Sequence, residues 1–412
     1  MNADAPFELL AAAVRRHGSP LWAYDARTII DRIEKLRGFD TVRYAQKANP
    51  NLHILRLMRE RGVVLDAVSW GEVERAFAAG ASVDGDSAGV VLTCDLLDQT
   101  TLARVIESRI EVNVGSIDML RQLGERSPGH RVWLRINPGF GHGHSRKTNT
   151  GGENSKHGIW HEQLEEALDC ISTWGLHLVG VHMHIGSGVD YPHLAQVAQS
   201  MTDLIARLDR NIEAFSLGGG LATPYTSTDK PVDINQYARI WAAAREKIEA
   251  ILGHAVRMEI EPGRFLLAES GYLVTEVRAV KKAGGNTFIL VDAGFNDLMR
   301  PVLYGSYHRM TLLDVDGLPV SRPLQPTLVA GPLCEAGDVF TQSEHALAPQ
   351  DLPQARVGDL LVIHDTGAYG ASMSSNYNSR PLLPELLIEN QSYRMIRRRQ
   401  TVQELLSLEL CP

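Results

Sequence analysis

The chain has 412 residues, 49 of them acidic and 41 basic, for a net charge of −8. That length can bury a sizeable core and favours two or three domains, while the scatter of Lys and Arg leaves no basic footprint for nucleic acid. Cys94, Cys170, Cys334 and Cys411 have no CxxC spacing, the first residues do not read as an export signal, and no window nears the roughly 18 apolar residues of a membrane span, so a soluble cytoplasmic enzyme is expected.

After an N-terminal segment, residues 1–21, short β-rich runs recur, each followed by helical spacing. They are "VRYAQ", "GVVLDAVS", "GVVLTCD", "IEVNVGS", "RVWLRINPG", "LVGVHMHIGSG", "AFSLGGG" and "RMEIEPGRF". Eight such units predict a closed parallel sheet, a (β/α)8 TIM-like barrel over residues 22–271. Beyond Gly271 the runs "YLVTEVRAVKKAG", "TFILVDAG", "TLVAGPL", "GDLLVIHDTGAY" and "RMIRRRQTV" read as strands with few helices between them. A β-domain over residues 272–412 follows, with "RRR" at Arg397–Arg399 read as a solvated patch before a terminal helix. The fold class is therefore α/β plus β.

Barrel chemistry gathers at the C-terminal strand ends. Here those ends carry Lys47, Asp66 with Ser69, Thr93, Asn113, Arg135 with Asn137, His184 with Ser187, Gly218 to Gly220, and Glu261 with Gly263 and Arg264. A lysine between apolar walls at such a mouth loses solvation, which lowers its pKa and suits it to Schiff-base formation. On its own it reads more readily as an exposed lysine near a helix start. The glycines after strands six, seven and eight, in "HIGSG", "SLGGG" and "EPGR", can bring backbone N–H groups and the Ser187 hydroxyl against an anion, as barrels do for phosphate near strands seven and eight. Schiff-base lysine and phosphate cradle together suggest pyridoxal 5′-phosphate, whose ring needs a carboxylate beside its pyridine nitrogen. Glu261 has that chemistry.

His182 and His184 lie two apart on a strand and share a face. An HxH pair can hold zinc, but later strand ends supply no further ligand, so no metal is expected and His184 is read as a ring stacked on a cofactor. The long polar loop "GFGHGHSRKTNTGGENSKHGIW" after strand five, residues 139–160, has the composition of a lid, and its His142, His144 and His157 lack the carboxylates of a metal site. In the second domain "GPLCEAGDVF" sets Cys334 beside Glu335. An exposed thiol there could donate a proton to a carbanion, where a buried cysteine would only pack. Arg300 and Tyr304, in "FNDLMRPVLYGSYH", could hold a carboxylate.

The ordered blocks "YAQKAN", "GHGHSRKTNTGGENSKHGI", "HMHIGSGVDY", "EIEPGRF", "VDAGFNDLMRP", "GPLCEAGDVF" and "GAYGASMSSNYNSRP" make the chain resemble the fold-type III pyridoxal-phosphate-dependent decarboxylases nearly end to end. The likeness is strongest to the enteric-type branch that converts meso-2,6-diaminopimelate to L-lysine and carbon dioxide, the last step of bacterial lysine biosynthesis. It implies an alanine racemase-like pairing of the barrel with a C-terminal β-sandwich or Greek-key-like domain. It further implies that Lys47 carries the cofactor, His184 stacks on it, Glu261 faces its pyridine nitrogen, and Ser187, Gly220, Gly263, Arg264 and Tyr369 surround its phosphate. Arg264, Arg300, Tyr304, Glu335 and Tyr369 would contact substrate and Cys334 would protonate the carbanion, with Cys334 and Glu335 entering from a second subunit of a homodimer. Alternatives are a decarboxylase of ornithine, arginine or carboxynorspermidine, or a non-catalytic cofactor-binding paralogue.

Overall fold

The computed structural model describes residues 5–83, 89–141, 149–186, 188 and 191–410. They form two compact units, one of residues 32–223 and 231–266, the other of residues 5–31, 224–230 and 267–410.

The first unit is the barrel. Its strands are Thr41–Ala45, Val64–Ala67, Val90–Cys94, Val112–Val114, Arg131–Asn137, His177–His182, Ala214–Ser216 and Arg257–Ile260. Each pairs in parallel with the next, and the eighth closes on the first through Glu259 opposite Thr41. All eight overlap the runs expected to be strands, with Thr41–Ala45 and His177–His182 beginning one residue earlier. The helices that follow begin on side-chain caps: Asn51, Ser69, Asp98, Ser116 and Asp233 accept backbone N–H groups at the starts of Leu52–Glu60, Trp70–Ala78, Gln99–Ser108, Ile117–Arg126 and Ile234–Leu252. Each cap satisfies a donor that the first helical turn leaves open.

The second unit is built on a mixed sheet in which nine strands are described. Its long strand Gly271–Ala283 pairs antiparallel with Leu21–Asp25, Asn286–Val291 and Leu360–Ile363. Helix Phe7–His17 lays Leu10, Ala11 and Val14 on a core that includes Leu21, Val274, Val362 and Leu386.

These units depart from the boundaries expected at residues 22 and 272. Leu21–Asp25 is a buried central strand of the mixed sheet, bonded antiparallel to Gly271–Ala283 and parallel to Glu385–Glu389. Hydrogen bonding on both edges, together with the Tyr24 hydroxyl donating to Glu385 Oε2 at 2.7 Å, ties it there.

Candidate active site

Lys47 sits in a 3₁₀ turn, Gln46–Ala48, directly after the first barrel strand, exposed between two buried neighbours. Its charge acts on Asp66, Glu72 and His184. Asp66, next to last in the second strand, accepts the Thr93 hydroxyl proton at 2.6 Å, and Asn113 Nδ2 donates to that hydroxyl oxygen at 3.5 Å. Burial and the nearby Glu261 charge push the Asp66 carboxyl up to about 7, against the Thr93 bond and the charges of Lys47 and Arg43. Ser69 caps the next helix. Asn137 braces the loop after strand five, accepting the N–H groups of Gly139 and Gly152 at 3.1 and 2.9 Å.

Glu261, just past the eighth strand, is 7% exposed. His182 Nε2 lies 2.9 Å from its Oε2, the Ser216 hydroxyl donates to its Oε1 at 2.9 Å, and Arg43 Nη1 is 4.0 Å from Oε1. Burial works to raise this carboxyl, but His182, Arg43 and Ser216 outweigh it, so the group falls below its ordinary value and is ionised at neutral pH. Arg43 also pairs with Glu259 in the barrel interior. His184 is pushed well below its ordinary value by burial and by the charges of Arg135 and Lys47.

The glycine run after strand seven has no room for side chains. A Cβ at Gly219 would stand 2.5 Å from the Glu261 carbonyl oxygen, and one at Gly220, whose φ is +99°, would stand 2.4 Å from that of Gly186. The same positions face the His184 ring edge, at 3.9 and 3.6 Å. Gly263 packs over Ala45 and Ala48, and Arg264 opens the following short helix. Close-approach backbone, an ionised buried carboxylate, a flat neutral ring and an accessible amine at one mouth fit the phosphate, pyridine nitrogen, ring face and aldehyde of pyridoxal phosphate in turn. Ser187, His142 and His144 lie outside the described residues. His157 is bound to Asp95.

The remaining expected residues belong to the second unit. Arg300 and Tyr304 begin and end a short helix. The Arg300 guanidinium is buried, donates to the Tyr225 hydroxyl at 3.1 Å and lies 3.0 Å from His308 Nε2. Cys334 is exposed, its N–H held by Asn378 Oδ1 at 3.0 Å, and the Tyr377 hydroxyl donates to Glu335. Asp338 fixes this loop by accepting the N–H groups of Leu333 and Phe295, both at 2.8 Å. Tyr369 adopts a left-handed backbone, φ +58°.

The sequence reading gave no role to Arg43, His182, Ser216 or Glu259. One signal was available: Glu259 and Glu261 are two apart on a strand, so they share a face, and two buried carboxylates on one face need a cation nearby.

The pyridoxal-binding domain model of the pyridoxal-dependent decarboxylases matches residues 27–268. The chain belongs to that family. Its cofactor is pyridoxal 5′-phosphate. The chain is 61% identical to the diaminopimelate decarboxylase of Streptomyces coelicolor over 98% of its own length and 92% of that protein's. It is 58% identical to the diaminopimelate decarboxylase of Escherichia coli K12, covering 99% and 98%. A crystal structure of diaminopimelate decarboxylase superposes with TM-score 0.96 at 57% identity, covering 99% of this chain and 98% of that one. A Helicobacter pylori diaminopimelate decarboxylase complexed with L-lysine has TM-score 0.86 at 30% identity, covering 97% and 98%. No helix among the described residues is long and apolar enough to cross a membrane.

Proposed function

We propose that the chain decarboxylates meso-2,6-diaminopimelate to L-lysine and carbon dioxide in the cytoplasm. The observation that carries this reading is the ionised, doubly hydrogen-bonded Glu261 at a barrel mouth that also bears Lys47 and a side-chain-free glycine cradle. Identity above one half over nearly the whole length to proteins named for this reaction supports the choice of substrate.

Pyridoxal phosphate, when bound, supplies a conjugated ring that accepts the electron pair left by departing carbon dioxide. Lys47 provides the amine to which it attaches. His184, kept neutral, would lie against the ring face without adding charge, and Glu261 would hold a proton at the ring nitrogen so that the ring could accept electrons. Gly220, Gly263 and Arg264, with Tyr369, would hold the phosphate, and Ser187, outside the described residues, is expected to join them. The carboxylate to be lost would be bound by none of the cationic side chains, and so would stay unstabilised relative to the transition state. Arg264, Arg300, Tyr304, Glu335 and Tyr369 bind the distal end, whose carboxylate and ammonium suit a guanidinium and a carboxylate in turn, and a substrate lacking either group leaves buried polar atoms unpaired. The Cys334 thiol then delivers a proton to the α-carbon. In this reading the loop bearing Cys334 and Glu335 serves the site of a second copy, making the active unit a homodimer. Its exposure on the single chain supports that exchange.

The test is release of carbon dioxide and formation of lysine from meso-diaminopimelate by the purified protein, and of neither by Lys47→Ala. Equal decarboxylation of lysine, ornithine or arginine would overturn the substrate assignment, and visible cofactor absorption unchanged in Lys47→Ala would overturn the attachment point.

A further inference from the structure

The first histidine of "HMH" has no part in the chemistry above, yet it touches the central carboxylate. His182 ends the sixth strand at 1% exposure, and Ser216 lies opposite it in register at the end of the seventh. From there Nε2 and Oγ reach the two oxygens of Glu261 separately, each at 2.9 Å. We propose that His182 is a positioning residue, a neutral Nε2–H donor that together with Ser216 fixes the Glu261 carboxylate in one orientation toward the cofactor ring. This rests on the reading of Glu261 given under the proposed function.

The tautomer follows from hydrogen bonding. An ionised carboxylate only accepts, so Nε2 must carry the proton. Nδ1 is buried with no hydrogen-bond partner among the described residues, and a second proton there would be an N–H without an acceptor. The charged groups around the pair agree. Arg43 on the first strand and Arg135 on the fifth both oppose an imidazolium, while Glu261 alone favours one, and burial settles the ring on the neutral side. The Glu261 charge raises Asp66 on the second strand, and a proton on His182 would in turn disfavour one on His184, beyond the sixth.

Neutrality decides what the contact can do. An imidazolium would satisfy the single negative charge of Glu261 and weaken its hold on a protonated ring nitrogen. A neutral donor orients the carboxylate and leaves its charge for the cofactor. With two of roughly four lone-pair positions taken, Glu261 still has one to offer a ring N–H.

The experiment uses the holoenzyme and compares His182→Leu, His182→Gln, Ser216→Ala and Glu261→Gln. Readouts are kcat, KM and the pH dependence of the bound cofactor's visible absorption. His182→Leu should lower kcat by roughly 10–150-fold, the ordinary worth of a hydrogen bond to a charged group. KM should change little, and the pH at which the absorption changes should move by about one unit or more. His182→Gln keeps an N–H donor and should recover about tenfold or more of the loss, which a purely structural histidine would not show. Where His182→Leu does not fold, Ser216→Ala decides, with a loss in the same direction. The inference is overturned if folded His182→Leu, or Ser216→Ala in its place, keeps the parent's kcat and absorption profile while Glu261→Gln alters both. If Glu261→Gln also leaves the absorption unchanged, the assignment of Glu261 itself has failed.

Discussion

Replacing Arg43 with Met should destabilise the barrel by about 3–5 kcal/mol, the usual cost of removing one partner from a buried ion pair. Arg43 is 3% exposed, pairs with a Glu259 side chain that is also 3% exposed, and reaches Glu261 at 4.0 Å. Its guanidinium carbon lies 4.3 Å from the Trp133 ring centroid, a contact worth roughly 1–2 kcal/mol of that total. Without it, the remaining ion-pair partner of Glu259 is Arg257 at 3.5 Å, a side chain 45% exposed and correspondingly screened. The cost is bounded because Glu259, already raised by burial, can take up a proton instead of standing charged. For a domain of this size the loss amounts to a fall in Tm of roughly 10 °C. Calorimetry of the cofactor-free protein at neutral pH measures it. The control is Arg43→Met with Glu259→Leu, which removes both charges and should recover most of the loss, giving a coupling of about 2 kcal/mol or more. A single variant that loses less than about 1 kcal/mol, or a double variant no better than the sum of the singles, would refute the reasoning.

Three further outcomes follow from the same geometry. Asp66 in the folded chain keeps its proton up to about pH 7, whereas its ordinary value is 3.8. Between those values the folded state binds more protons than the unfolded, so this contribution is fully present below about pH 4 and lost as pH rises through about 7. Asp66→Asn should flatten the corresponding decline in Tm of the cofactor-free protein, and an unchanged slope would remove the group from the account. Gly220→Ala places a Cβ 2.4 Å from the Gly186 carbonyl oxygen at a φ of +99° and should weaken cofactor affinity about tenfold or more in a fluorescence titration, with the fold retained. Cys334→Ala should slow lysine formation far more than it weakens cofactor binding, and equal kinetics for variant and parent would deny the thiol its proton-donor role.

The barrel was legible because its strands are local events: an apolar run, a turn, then a capped helix. The mixed sheet was legible only in part. Leu21–Asp25 pairs with Glu385–Glu389, more than 360 positions away, and neither "LWAYD" nor "ELLIE" says which partner it will find. "RRR" illustrates the same limit. Arg397 Nη1 lies 2.9 Å from Glu385, a side chain 2% exposed, and Arg399 donates to the Pro20 carbonyl at 2.7 Å, so two of the three arginines brace the sheet and the solvated-patch reading holds for Arg398 alone. At the barrel mouth, position along a strand singled out Lys47 and Glu261. The hydrogen bonds that fix Glu261 depend on which residue of one strand falls opposite which of the next. The register that sets His182 opposite Ser216 emerges only when the sheet closes.

That closure also explains why the barrel interior is polar where such barrels usually stack bulky aliphatic side chains. One layer below the mouth, Trp133 fills the floor, and a Cβ at Gly180 would stand 2.6 Å from its ring and 2.1 Å from the Ala214 carbonyl oxygen. Glycine at that point lets strands six and seven close beneath the indole. Arg43 rests on the Trp133 face and pairs with Glu259, and Glu261, two residues on from Glu259, receives His182 and Ser216 from the strands that Gly180 and Ala214 bring together. An aliphatic floor would spare the desolvation of two charged groups, Arg43 and Glu259, and give a more stable barrel. It would also leave Glu261 buried without an opposite charge, and burial would then raise its pKa until the carboxyl went neutral. A neutral carboxyl cannot hold a proton on a pyridine nitrogen by charge. The buried ion pairs are therefore better understood as the support of one fixed negative charge at the mouth than as a contribution to stability.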